Sequence, residues 1–243
     1  MKLLTRICGT IIAFATCVLA VSAAPAAVDA RKYLPIEPLD NTVRVYEIRD
    51  GGKITKYYQE YAVTKEGGKT ILRFRGYGQD FELVDEYRQE VTADGLAWTD
   101  YATWSKGKSG SVERFPGSAS GLILPWKLDS SKPYEKKFSI TWWYDSTWGN
   151  IINEITQTLT FKGIATTVID GKSYECAVIV GDQVTDQRDE KGRAFPSNKA
   201  SYEFYYARDF GYAMSKPLSG STATTVCTRS MTVAEFEALK SGN

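Results

Sequence analysis

Four carboxylates crowd nine positions: Glu82, Asp85, Glu86 and Glu90. Paired carboxylates are the apparatus of glycoside hydrolysis, where acid and base or nucleophile flank the bond at a set separation. On a regular strand Glu82, Glu86 and Glu90 share one face, with Val84 and Arg88 between them. That is the pattern of a solvated surface. A second acidic group, Asp182, Asp186, Asp189 and Glu190 beside Gly192, suggests a calcium loop. Calcium takes about 6–8 oxygen ligands from a tight turn. Here the alternating acidic spacing of an EF-hand is absent, and Arg188, Lys191 and Arg193 oppose a cation. The run reads as an exposed hairpin tip, and no metal site is expected.

The chain contains no histidine. Ser-His-Asp and Cys-His catalysis, and zinc sites with mixed ligands, are therefore ruled out. No phosphate-cradling glycine loop or CxxC motif occurs, and Gly76-Tyr77-Gly78 is too short for nucleotide binding. No catalytic residue is assigned and no cofactor is expected. A formal charge of +1 lacks the cationic excess that a nucleic-acid surface needs. The chain reads as a non-enzymatic protein.

Aromatic residues are the remaining chemistry. Trp142, Trp143 and Trp148 lie close together. Neighbours in a strand point to opposite faces, so Trp142 and Trp143 cannot both be core of a sheet with one wet side. One lines a cavity, faces a partner or lies under a connection. Trp98, Trp126, Trp142, Phe161 and Tyr206 are candidates to line a binding surface.

The elements that would position them are strands. Phe138, Ile140, Trp142 and Tyr144 share a face against Ser139 and Thr141. A period of two also runs through Leu72 and Phe74; Ile155, Leu159 and Phe161; and Tyr202, Phe204 and Tyr206. One dry and one wetter face suits antiparallel sheets. Asp50-Gly51-Gly52, Gly67-Gly68, Asp94-Gly95, Asp170-Gly171 and Lys191-Gly192 mark tight turns. Thr232-Val233-Ala234-Glu235 is a capping box that opens a short C-terminal helix. A hydrophobic fraction of 43% is enough to build a core. The predicted fold is all-β, a single curved antiparallel meander forming a half-barrel or open barrel, closed by that helix.

Residues 1–24 read as a signal peptide, with basic Lys2 and Arg6, an apolar run from Ile7 to Val21, and small residues before cleavage. The apolar run is too short for a retained span. Residues 25–40 read as an exposed leader, and 41–243 as one β-domain with a long connection at 105–133. That connection is either a lid or a segment whose Leu122, Leu124 and Trp126 pack into the core. Export places the protein in the periplasm or outside the cell, with no membrane span after cleavage. Cys176 and Cys227 then form either a disulfide or two buried free thiols.

Three stretches carry a resemblance. Tyr33-Leu34-Pro35-Ile36-Glu37-Pro38-Leu39 through Tyr46 resembles an opening pattern of secreted bacterial β-domains of uncharacterised function. Leu122-Ile123-Leu124-Pro125-Trp126 resembles their central segment. The stretch from Val168 to Cys176, followed by Tyr205-Tyr206-Ala207-Arg208-Asp209-Phe210-Gly211-Tyr212, is similar to their closing pattern. The group is TapB-like and similar to lipoprotein-carrier half-barrels. The resemblance implies a curved sheet around an apolar groove and imports no catalytic residue. The expected function is an exported envelope protein that binds a lipid or other apolar small molecule, or an extended segment of an envelope protein, in a concave sheet. Two alternatives stand beside it: carbohydrate binding or a carboxylate-based glycosidase or lyase, and an assembly partner that pairs through edge strands.

Overall fold

The computed structural model describes residues 27–145 and 148–242, with the side chains of 142–145 outside that description. The expected signal peptide and the Trp142 and Trp143 side chains lie outside the described residues. The chain enters through β1 (Ala27–Asp29), a 3-10 turn (Ala30–Lys32) and α1 (Ile36–Leu39). There follow β2 (Thr42–Asp50), β3 (Lys53–Glu66), β4 (Lys69–Tyr77), β5 (Leu83–Val91), β6 (Gly95–Lys106), β7 (Val112–Pro116), β8 (Ser118–Pro125) and β9 (Lys127–Asp129). The second half consists of β10 (Tyr134–Asp145), β11 (Gly149–Ile169), β12 (Lys172–Asp189), β13 (Ala194–Ala207), β14 (Gly211–Ser219), β15 (Thr224–Thr232) and α2 (Val233–Ser241).

Neighbouring strands pair antiparallel in chain order, as the turn signals predict. The hairpin turns at Gly51-Gly52 and Asp170-Gly171 hold both central residues at positive φ, the geometry that matches strand twist. The sheet corrects the expected half-barrel or open barrel, because it closes. β2 pairs with β15, and β5 pairs with β6 as well as β4, giving a ring of twelve strands. Closure satisfies the backbone groups that an open meander would leave at two raw edges. β7 and β8 run on as one strand bent at Gly117, where a Cβ would meet the Ser139 carbonyl oxygen at 2.4 Å. Only glycine permits that approach to β10.

Alternate residues of each strand face inward. Outside, Arg75 pairs with Glu86, Lys69 with Glu90, Arg88 with Glu66 and Arg188 with Glu154. Glu86 and Glu90 therefore lie on an outer, ion-paired face, whereas Glu82 accepts the Asp80 N–H before β5 begins and Asp85 turns inward. The second acidic group is a hairpin. Asp189 accepts the N–H groups of Lys191 and Arg193 and pairs with Arg193, while Asp182 and Asp186 accept from Ser201 and Ser197.

Residues 30–40 behave differently from the expected exposed leader. Ala30, Tyr33, Leu34 and Leu39 are buried against Leu72, Leu96, Leu159, Phe161 and Ile179. Backbone bonds from Ala30 to the Trp126 carbonyl and from Asp209 to the Lys32 carbonyl tie the segment down. It crosses one mouth of the barrel as a plug. Apolar side chains that cannot be buried within so short a segment are buried in the ring instead. The 105–133 stretch is largely strand, and Leu124, Trp126 and Leu128 are core. α2 lies on the outer wall. Its Phe236 packs on Tyr58, Tyr77 and Phe81, beside Val43 and Val45.

Cys176 and Cys227 are free and buried. Cys227 sits on the stretch of β15 that pairs with Tyr46, whereas Cys176 donates to the Tyr174 carbonyl. Burial pushes both thiols up to about 12, so they are protonated and inert in the fold. Ellman's reagent is expected to modify neither thiol in the native protein, and both in urea without reductant. Failure to label in urea would show a bridge.

Candidate functional site

Twelve strands enclose more space than the eight that side chains alone can fill. The surplus is a cavity of about 250 Å³ beneath the plug residue Leu34. Its wall is mainly aromatic, and the rings touch in series from β3 through β6 and on, past β8, to β10. Tyr61 on β3 meets Phe74 on β4 at 5.4 Å, and Phe74 meets Tyr87 on β5 at 4.9 Å. Tyr87 meets Trp98 on β6 at 5.2 Å, and Trp98 stacks on Phe138 of β10 at 6.0 Å. Opposite them stand Phe204, Tyr206 and Tyr212, the last two rings 5.8 Å apart. Offset and tilted ring pairs of this kind are individually favourable.

Besides Gln59, which accepts from the Tyr61 hydroxyl, three polar features interrupt this wall. Gln89 is 1% exposed, yet its Oε1 has no hydrogen-bond partner. The indole N–H of Trp98 is likewise buried and unpartnered. Gln89 and Trp98 face each other across β5 and β6. The third feature is Lys136 on β10, in phase with Phe138 and paired across the sheet with buried Gln157 and with Gly121. Burial alone draws its ammonium down to about 8. Among the described residues lining the cavity there is no carboxylate. An unmade hydrogen bond at a buried group costs about 1–3 kcal/mol, so this wall carries groups that packing alone does not satisfy.

One acid does point inward nearby. Asp85 accepts from the Tyr57 hydroxyl at 2.9 Å and the Tyr87 hydroxyl at 3.4 Å. Gly76 makes room for it, since a Cβ there would meet Tyr57 Oη at 2.0 Å and Asp85 Oδ1 at 2.2 Å. Burial raises the Asp85 carboxyl from 3.8 to about 6 despite these bonds. A raised folded-state value means that the protonated acid favours the fold. That stabilisation is complete below 3.8 and lost as pH rises through about 6. Asp85→Asn is therefore expected to stabilise the protein by about 1–2 kcal/mol at pH 7, net of weakened hydrogen bonds. The gain should vanish near pH 4, as read from urea midpoints at the two pH values. An equal effect at both would show that the carboxylate charge is not the cause.

The sequence candidates separate in the structure. Trp98 and Tyr206 line the cavity. Phe161 is 2% exposed and belongs to the packed core beside it. Trp126 donates its indole N–H to the Thr92 carbonyl at 2.8 Å and lies under Arg31, lining surface clefts at the plug. Lys136, Gln89, Tyr87 and Phe138 were not among those candidates. Phe138 and Lys136 share the inward phase of β10, which is the signal that could have found the lysine. Among the described residues no group of three or more Cys, Asp or Glu could hold a metal ion.

Comparison with known proteins returns structural likeness only. No protein-family model matches the chain, and no curated protein matches it by sequence. Among solved structures, a candidate exported protein with a YmcC-like fold from Bacteroides fragilis is similar at 9% identity. That match covers 79% of this chain and 96% of the other, with a TM-score of 0.48. A candidate lipoprotein from Parabacteroides distasonis is similar at 12% identity over 79% and 95% of the two chains, with a TM-score of 0.49. The hypothetical lipoprotein YmcC from Escherichia coli matches at 9% identity over 80% and 88%, with a TM-score of 0.31. The three are described as exported proteins or lipoproteins, and none is described as TapB-like or as a lipoprotein carrier.

Proposed function

We propose that this is an exported, extracytoplasmic binding protein that holds an apolar small molecule inside its closed barrel. The observation that carries the reading is the aromatic cavity of about 250 Å³ beneath the plug, near the lower end of the ~300–1,000 Å³ typical of ligand pockets. The apolar leader with Lys2 and Arg6 supports export. No described helix is long and apolar enough to cross a membrane. The ring itself has a greasy interior and a charged, ion-paired exterior. A barrel that crosses a bilayer has the reverse pattern.

Closure moves the expected binding surface from an open concave sheet to a cavity inside the ring. It also removes the open groove that an extended protein segment would need. Each ring strand has a neighbour on both sides, which leaves only short edges, at β7 and at the β1–β9 pair, for pairing with a partner. A glycosidase needs two facing carboxylates, and the described cavity lining has none.

The test is titration with 1-octanol while tryptophan emission is followed, with Trp98→Phe as the reporter control. A saturable change in emission that is lost or much reduced in Trp98→Phe, with octanol retained in native mass spectrometry, is the expected result. No saturable change and no retained octanol would remove the reading.

A further inference from the structure

We propose that the occupant is a short amphiphile bearing a carboxylate, with Lys136 as its charge anchor and the aromatic wall holding its apolar body. This rests on the apolar-binding reading and adds the chemistry of the ligand's polar end. Lys136 lines the cavity together with Trp98 and Gln89. A carboxylate can take the ammonium of the first and the buried, unpartnered indole N–H of the second. It is acceptor-only when ionised and supplies lone pairs to both donors. Gln89 Oε1, 99% shielded by its residue's burial and unpartnered, asks for a donor, so the ligand class extends to hydroxy- or amino-substituted acids. The small cavity suits one short chain or ring rather than a two-chain lipid.

The surroundings of Lys136 leave the charge to be met from outside the protein. Its sheet neighbours are Gln157 on β11 and Gly121 on β8. The titratable groups of the cavity wall are Tyr61 on β3, Tyr87 on β5, Tyr206 on β13 and Tyr212 on β14, and Tyr134 is buried on its own strand. Burial raises every one of these phenols, so they are neutral when the lysine is charged. A half-buried lysine whose protein neighbours in an apolar wall are all neutral is a costly choice for packing and a strong one for recognising an anion.

The experiment compares octanoate with 1-octanol by tryptophan emission at pH 7, using wild type and Lys136→Met. Octanoate is expected to bind wild type about tenfold or more tighter than octanol, the scale of a charge-assisted hydrogen bond. The ratio should fall to one or below in Lys136→Met, because the carboxylate then meets an apolar wall without its anchor. As a second measurement on unaltered protein, the preference should shrink at pH 9.5, above the lysine's value of about 8. Equal binding of both ligands to wild type, or a preference untouched by both the substitution and pH, would overturn the anchor while leaving the apolar cavity standing. Failure of both ligands to bind would overturn the two readings together.

Discussion

Phe236→Ala is expected to lower the melting temperature by roughly 6–20 °C while leaving octanol binding intact. Truncating a buried phenylalanine costs about 3–5 kcal/mol, and each kcal/mol moves a domain of this size by about 2–4 °C. Phe236 is fully buried, with its ring 5.3 Å from Tyr58, 5.2 Å from Tyr77 and 5.8 Å from Phe81. It is the apolar anchor of α2, a helix of only 9 residues that could not persist in isolation. The cap made by Thr232 and Glu235 would then fasten a helix with nothing to rest on. Because the cluster lies on the outer wall, stability and ligand binding should separate. Calorimetry paired with the octanol titration checks both halves. A melting shift below about 2 °C would mean that the helix is a loosely held tail.

The second large effect has the opposite sign. Lys136→Met is expected to stabilise the ligand-free protein by about 2–3 kcal/mol at pH 7. The lysine falls from 10.5 to about 8 in the fold, and each pH unit corresponds to about 1.36 kcal/mol. The full figure is reduced because the side chain is partly exposed. Methionine fills a similar volume without charge. A folded-state value below the unfolded one means that the fold resists the proton. The penalty is complete below pH 8 and fades as pH rises from there toward 10.5. The variant's advantage in urea midpoint should thus be large at pH 7 and much smaller at pH 9.5. Destabilisation at pH 7 would show that the ammonium is satisfied by the protein itself. Stability given up at one residue is a common mark of a site kept for its chemistry.

Much of the fold is legible before any coordinates. The alternation of Phe138 and Ile140, or of Tyr202, Phe204 and Tyr206, reports strands, and the glycine turns report hairpins. Closure is different in kind. A period of two says which way a side chain points, but not which strand lies alongside, and the pairing of β2 with β15 has no local signal. The 30–40 segment misled for a related reason. Pro35 and Pro38 break regular structure, yet Tyr33, Leu34 and Leu39 are anchors whose partners lie on distant strands. At the site, Trp98 and Tyr206 stood out because they are aromatic. Lys136 sits between Glu135 and Lys137, in what looks like a solvated charge run. Its role depends on phase, and the default that lysines face water conceals it. The emptiness at Gln89 and Trp98 is a property of three-dimensional packing that no composition reveals.

The seam between the first and last strands of the ring has a consequence for biogenesis. Thr228 bonds to the Val45 carbonyl across 183 positions, so the cylinder cannot be completed until almost the whole chain is present. Contacts this remote slow folding, because much disorder must be given up before they form. Until β15 arrives, β2 and β14 each offer a naked hydrogen-bonding rim on which other chains can template. Exported as proposed, such a chain would cross a channel as an open thread without resistance from premature structure. It would then pass through an interval after arrival in which chaperones and proteases compete with its own final strand.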